Sequence, residues 1–433
     1  MDRAASHTDD FGGLVRRYPA RVLRATSLIE VVKAVETAKT TGLPLAVRGA
    51  GHSTRGQSLV EGGVVLDMTG VEDVVVQGST ATIGAGATWE SVIRETLKRG
   101  LTIPVLPDFL GITVGGTVSV GGVGGQSFRH GLLTSVVDRL TVVSGEGEVV
   151  SCSRDRNAGL FDAVRGGLGL CGVITDATIR LVRAPERVAI VKLRYRALGD
   201  LMADQRKLTD SGLLDYFLTS FAAEDGTFRL SIEGVKYLHA GERYRGEAIL
   251  GELGEGAREA TFQESAYFDY ANRLAGLPEL DRQRGRFHPW MAMFVPGSRG
   301  ATFLADLLGR LEPRELSEGH LMTYVVDRRK IDTPIIRWPD EDWLLLVDIP
   351  PTFASLAEAN SFSRRCVPIL GRARALGAVM YPIGFPVGTE HMTRDDWRRH
   401  FDWDRLVAVK RKVDPACRLG APLGAITRAD LQG

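Results

Sequence analysis

Apolar residues recur along this chain in two rhythms, and the change from one to the other marks out its elements. Arg21-Val22-Leu23-Arg24 reads as a short strand. Ser27 then opens a helix, with Glu30 three residues on as in a capping box. Ile29, Val32, Val35 and Ala38 line one side, and Gly42 closes it. Strands are predicted over Leu43–Val47 and Gly63–Met68. Val71–Val76 and Thr80–Gly84 form a hairpin, and a helix runs from Thr88 to about Arg99 before Gly100. Leu140–Ser144 and Gly147–Ser151 pair as another hairpin. A short helix at Phe161–Arg165 and a strand at Gly172–Val182 follow. From about 184 glycines thin out and aromatics rise. Strands are predicted at 188–195, 228–236, 321–327 and 343–349, and helices at 198–209, 264–274 and 353–375, the last with a break at Pro368. This alternation points to a mixed sheet with helices on one face. Thr393 caps a helix through Phe401, and a second helix, Trp403–Val413, stops at Asp414-Pro415.

Two stretches fit neither rhythm. The first is the turn from Arg48 to Gln57, which holds Gly49-Ala50-Gly51-His52-Ser53 between two strands. Glycines let the chain turn sharply and bring backbone N–H groups close to a ligand. Such a turn suits a pyrophosphate, and equally a plain connection between strands. No Gly-x-Gly-x-x-Gly opens a helix here, which argues against a nicotinamide-dinucleotide fold. The second stretch runs from Ile103 to Gly131 and carries eight glycines in the twenty-one residues from Gly111. That density weakens an ordinary helix or strand. Val114, Val118, Val120, Val123 and Phe128 are interleaved with the glycines, unlike the polar composition of a linker. The pattern suits a backbone lying flat against a large planar ligand.

Length, charge and cysteine usage narrow the classes. The 433 residues suggest two or three domains, and 44% hydrophobic content supplies ample cores. With 54 basic and 53 acidic residues and no long like-charge block, neither nucleic acid nor a membrane surface is an expected partner. Cys152, Cys171, Cys366 and Cys417 are scattered without metal spacing. They suggest a reduced, cytoplasmic setting. No apolar leader and no membrane-length run is expected. A monomer or weak homo-oligomer acting on a small molecule, with no resident metal, completes this picture.

Arg48-Gly49-Ala50-Gly51-His52-Ser53, Pro107-Asp108-Phe109-Leu110 through Thr117, Gly122 through Gly131, Gly166-Gly167-Leu168-Gly169 and His288-Pro289-Trp290 through Val295-Pro296 together resemble the vanillyl-alcohol-oxidase-type FAD-binding (PCMH) family, and within it the cytokinin dehydrogenases. Trp397, His400, Trp403, Lys410 and Asp414-Pro415 fit the subfamily's last segment. The resemblance implies an α+β fold: a two-part FAD-binding domain over 1–183 and 393–433, and a substrate domain over 184–392 whose antiparallel sheet is covered by helices. There are departures. Phe385-Pro386-Val387-Gly388 replaces a Leu-Pro-His-Tyr stretch, Pro422-Leu423-Gly424 lacks the usual glutamine, and Gly131–Val136 replaces a Gly-Pro-Gln-x-Ser-Asn stretch.

The resemblance also implies roles. FAD would be held by Arg48, Gly49, Ala50, Gly51, His52, Ser53, Gln57, Asp108, Thr113, Gly115, Gly116, Ser119, Gly122, Gly125 and Ile174. His52 would form a single covalent link to the flavin, its neutral imidazole acting as nucleophile; no cysteine in Gly111–Val114 supplies a second link. Asp108 would be the catalytic base. The apolar residues flanking it, Val105, Leu106, Pro107, Phe109 and Leu110, predict an apolar setting that disfavours a charged carboxylate. Glu233 would assist substrate binding. Trp290, Phe294, Trp338, Tyr381 and Phe385 are candidates to line a flat pocket. Arg129 and His130 are candidates for a phosphate or the flavin edge, or for packing, and His288 for a structural or rim position. The implied reaction is oxidation of a small amine, with an N6-alkenyl adenine as the leading substrate. Hydride goes to the flavin, the N–H proton to Asp108, and the imine hydrolyses. The same scaffold acting on another alcohol, sugar or natural-product intermediate is the first alternative, and a flavin-binding protein without turnover the second.

Overall fold

The computed structural model describes residues 7–244, 246–253, 257–316, 319–384, 393–420 and 423–432. The N-terminal half holds a three-stranded parallel sheet, Arg21–Arg24 beside Val64–Asp67 beside Leu45–Arg48, and a five-stranded antiparallel sheet built on Val137–Val143 and Val173–Arg180. The predicted hairpins pair as expected. Ser27 caps the helix Leu28–Thr41 by accepting the Glu30 N–H, and Gly42 ends it in the left-handed region. The capping box is not closed, because the Glu30 carboxylate reaches Thr26 instead. The helices Arg394–His400 and Trp403–Val413 return to this half. Trp397, Phe401, Leu406 and Val407 are buried in the same core as Val35, Leu66 and Ile83. Lys410 is fully buried there and donates to the Leu170 and Leu419 carbonyls and to Asp414, which compensates its desolvation.

The second half is one eight-stranded sheet in which every pairing is antiparallel. Side chains alternate between its faces. Phe217, Phe221, Met293, Leu345, Val347 and Ile349 point to one face. There they meet Leu201, Leu208, Phe303, Leu304, Phe362 and Ile369 from the helices Leu198–Ser211, Gly297–Arg310 and Leu356–Ala375. Tyr216, Tyr324, Leu344, Leu346, Ala292 and Tyr381 point to the other face, toward the glycine-rich segments.

Three elements depart from the sequence reading. The helix Leu356–Ala375 is continuous through Pro368; the proline lies on the exposed side, where the carbonyl it leaves unbonded can meet water. The segment 264–274 is mostly not helical, because Ala257–Ala266 is held as a strand by pairing with Arg187–Tyr195, and only Tyr267–Ala271 forms a turn of helix. Within the glycine-rich stretch, Val114–Val120 is helical despite Gly115 and Gly116. Val114, Thr117 and Val118 anchor it in the core, so packing overrides glycine's low propensity.

Candidate active site

The turn after strand Leu45–Arg48 is folded as an open concavity. Gly51 sits at φ 72°, and a Cβ there would lie 2.3 Å from the Arg48 guanidinium, which folds beneath the turn and donates to the Asp9 carbonyl at 2.8 Å. Gly49 abuts the start of helix Val114–Val120: a Cβ would lie 2.0 Å from Thr113 Oγ1. Among the described residues, none of the N–H groups from Gly49 through Thr54 donates a hydrogen bond to a protein acceptor. A run of N–H groups left without partners is what a bound anion satisfies. On the helix beside it Gly116 is exposed and Ser119 half-buried, with the Ser119 hydroxyl folded back onto the Gly115 carbonyl at 2.7 Å, while Gly115 packs against Ala85. A pyrophosphate and a flat ring system fit this surface, because no side chain occupies it. Ser53 and Ser58 hydroxyls bond each other, and Ser53 also donates to Asp10. Gln57 accepts from the Arg55 N–H. Ile174 is buried on strand Val173–Arg180.

His52 closes one end of this surface. Its ring stacks on Phe11 at 4.5 Å and packs against Phe109 at 4.7 Å. Burial, with Arg282, His288 and Arg48 nearby, pushes its pKa down to about 3, so the imidazole is neutral. Phe109 is the residue after Asp108.

The setting of Asp108 differs from the apolar one predicted. Tyr216 donates its hydroxyl across both carboxylate oxygens, at 2.9 and 3.0 Å, and Tyr324 donates to Oδ2 at 2.5 Å. Arg273 lies 3.2 Å from Oδ1 and donates to the Tyr216 hydroxyl at 2.8 Å. The neighbours in sequence are apolar, but the neighbours in space come from two strands of the other sheet and a turn. A carboxylate has about four acceptor sites, and these three donors leave one open. Burial and the Asp108 charge raise the pKa of Tyr216 and Tyr324 well above 10, which keeps both hydroxyls protonated as donors.

Glu233, on strand Thr227–Leu238, accepts the Tyr270 hydroxyl at 2.7 Å and pairs with Lys192 at 3.2 Å. It also lies 4.0 Å from Arg273, which thereby stands between the two carboxylates. A pocket lined by Asp108, Leu106, Gln126, Tyr216, Tyr270 and Arg273 opens at this point. Arg273, Tyr216, Tyr324 and Tyr270 were not singled out in the sequence. They carry no motif: the strand register brings Tyr216 and Tyr324 to Asp108, and the turn after Tyr267–Ala271 brings Arg273.

The aromatic candidates separate. Trp290 packs edge-on to Phe11 and His288, and its indole N–H has no partner among the described residues. Phe294 is buried behind Tyr381 and Trp338, at 5.2 and 4.9 Å. Tyr381 accepts the Gly122 N–H at 3.2 Å. Phe385 lies outside the described residues. Arg129 bonds the Leu214 carbonyl and Asp215, a packing role. His288 is buried beside Thr352 and stacked on Phe11. Among the described residues no group of side chains is arranged to hold a metal ion, and no helix is long and apolar enough to cross a membrane.

Comparison with known proteins accords with this geometry. Residues 19–153 match the model of an FAD binding domain, and residues 232–422 match that of cytokinin dehydrogenase 1, FAD and cytokinin binding. An uncharacterized oxidoreductase of the fasciation locus of Rhodococcoides fascians is 37% identical, over 94% of this chain and 93% of its own. Cytokinin dehydrogenase 7 of Oryza sativa subsp. japonica is 31% identical, over 95% and 87%. Cytokinin dehydrogenase 2 of Arabidopsis thaliana is 31% identical, over 95% and 89%. The crystal structure of 6-hydroxy-D-nicotine oxidase from Arthrobacter nicotinovorans shares the fold, with a TM-score of 0.73 at 21% identity over 96% of this chain and 94% of that one. The chain thus belongs to the cytokinin dehydrogenase family of PCMH-type FAD-dependent oxidoreductases.

Proposed function

We propose that this protein oxidises a small secondary amine, an N6-alkenyl adenine, at the carbon next to the exocyclic nitrogen, with Asp108 as the base and FAD tethered to His52. The observation that carries the reading is the Asp108 carboxylate, lining a pocket and fixed by Tyr216, Tyr324 and Arg273 with one acceptor site left open. Gly49 through Ser53, Gly115, Gly116 and Ser119 would hold the cofactor. When bound, the flavin supplies a two-electron acceptor for the hydride that leaves the substrate carbon. Asp108 accepts the proton from the substrate nitrogen, leaving a carbon–nitrogen double bond. Water then adds to that bond, releasing an aldehyde and the aminopurine. Tyr216 and Tyr324 orient the carboxylate, and Arg273 balances the charge it shares with Glu233. The neutral His52 imidazole would be the residue that holds the flavin covalently. The relatives named cytokinin dehydrogenase and the match to a cytokinin-binding model support the substrate class.

Mixing the flavin-loaded protein with isopentenyladenine without oxygen tests this. Loss of the visible flavin band and release of an aldehyde are expected. Bleaching by an alcohol or sugar but not by the amine would overturn the substrate, and bleaching by nothing would leave only a flavin-binding protein.

A further inference from the structure

The face of the large sheet that looks onto Asp108 is apolar along one strand except at a single position. On Trp343–Ile349, Leu344 and Leu346 point to that face and Val347 and Ile349 to the helices. Asp348, by alternation, points with Leu344 and Leu346. The register sets it opposite Ala292 on one side and Met322 on the other. Tyr381 lies across Ala292 in the same row. Tyr324, which holds Asp108, is two residues beyond Met322, on the same face. Asp348 therefore stands on the same wall as the donor to the proposed base, between it and the residue that meets Gly122.

Asp348 is only 8% exposed, and its Oδ1 has no hydrogen-bond partner among the described residues. A buried acceptor left open is costly, and a leucine would fit the pattern of its strand. Burial pushes the carboxyl up to about 7, opposed by a hydrogen bond from the Ile349 N–H and reinforced by the charge of Asp108.

We infer that Asp348 is a second substrate anchor: its open oxygen accepts a hydrogen bond from a ring N–H of the heterocycle, on an edge other than the exocyclic nitrogen served by Asp108. This rests on the proposed function and narrows it. A purine has such a donor at N9 only as the free base, so Asp348 makes the enzyme select free N6-alkenyl adenines over N9-substituted ones. The neighbours agree with a flat ring lying here, since Ala292 is small, Met322 is unbranched and Tyr324 is aromatic.

The test compares isopentenyladenine with its N9-methyl derivative in flavin-loaded wild type, Asp348→Leu and Asp348→Asn. It reads binding from the flavin difference spectrum and reduction by stopped flow. In wild type, methylation is expected to weaken binding by about tenfold, the worth of one buried hydrogen bond. Asp348→Leu is expected to bring the two ligands to within about twofold, and Asp348→Asn, which keeps an acceptor oxygen, to restore most of the preference. Equal binding of both ligands by wild type, or an unchanged ratio in Asp348→Leu, overturns the anchor while leaving the reaction in place. If neither compound reduces wild type, the proposed function itself fails and the anchor with it. Should Asp348→Leu not fold, the wild-type and Asp348→Asn ratios decide.

Discussion

The ring of Tyr216 occupies the space that a side chain on Gly125 would need: a Cβ at Gly125 would lie 2.3 Å from Tyr216 Cε2. Gly125 belongs to the glycine-rich stretch whose resemblance implies flavin contact, yet its missing side chain also admits the tyrosine that holds Asp108. Gly125→Ala is therefore expected to displace Tyr216 and slow flavin reduction by about tenfold or more, as for a lost orienting hydrogen bond. The flavin content of the purified protein is expected to change little. Loss of flavin with an unaltered reduction rate in the remaining holoenzyme would assign Gly125 to the cofactor alone.

Arg273 is the link between Asp108 and Glu233. Arg273→Met removes the cation and leaves two carboxylates facing Tyr216 and Tyr270. Asp108 loses the cation 3.2 Å from its Oδ1, and Tyr216 loses the donor to its hydroxyl, so the carboxylate is held less firmly. Flavin reduction is expected to slow by about tenfold or more. Conservative Arg273→Lys is expected to recover part of the rate, since a lysine restores the charge but not the planar fork.

The site of flavin attachment has a simple readout. His52→Ala removes the neutral imidazole that packs against Phe109. Wild-type polypeptide precipitated in acid is expected to stay yellow, whereas the variant binds FAD when folded and releases it on denaturation. Colour that stays with the denatured variant would place the link elsewhere.

Acid stability reports on the buried histidines. Burial pushes His400 down to about 3. A folded-state pKa below the unfolded one means that the unfolded chain binds the extra proton. This contribution is present above about 6.5 and is lost as pH falls toward about 3. His400→Leu is expected to make the fall in denaturant-derived stability between pH 6.5 and 4 shallower, by about 1.4 kcal/mol per pH unit at most. An unchanged slope would show that His400 stays solvated in the folded chain.

How much of this was legible in the sequence follows from what each signal needs. The segments that carry His52 and Asp108 could be singled out because a turn with its flanking strands is local, and the structure packs His52 against Phe109, the residue after Asp108. Glu233 could be read as one motif residue, but not its tie to Asp108 through Arg273. Tyr216 and Tyr324 lie 108 and 216 residues from Asp108, and only the register of the large sheet brings them there. Strand Met291–Pro296 is buried at all six positions, so it shows no alternation to mark it as a strand. The expectation of an apolar setting for Asp108 failed for the same reason. Flanking residues describe a chain segment, whereas the setting of a carboxylate is fixed by what folds onto it.

The account depends most on the proton transfer assigned to Asp108. Flavin-loaded wild type and Asp108→Asn, mixed with isopentenyladenine in the absence of oxygen, measure it directly. The asparagine variant is expected to keep its flavin and to bleach at least about a hundredfold more slowly, the usual loss when a general base is removed. Bleaching of the variant at the wild-type rate would contradict the account.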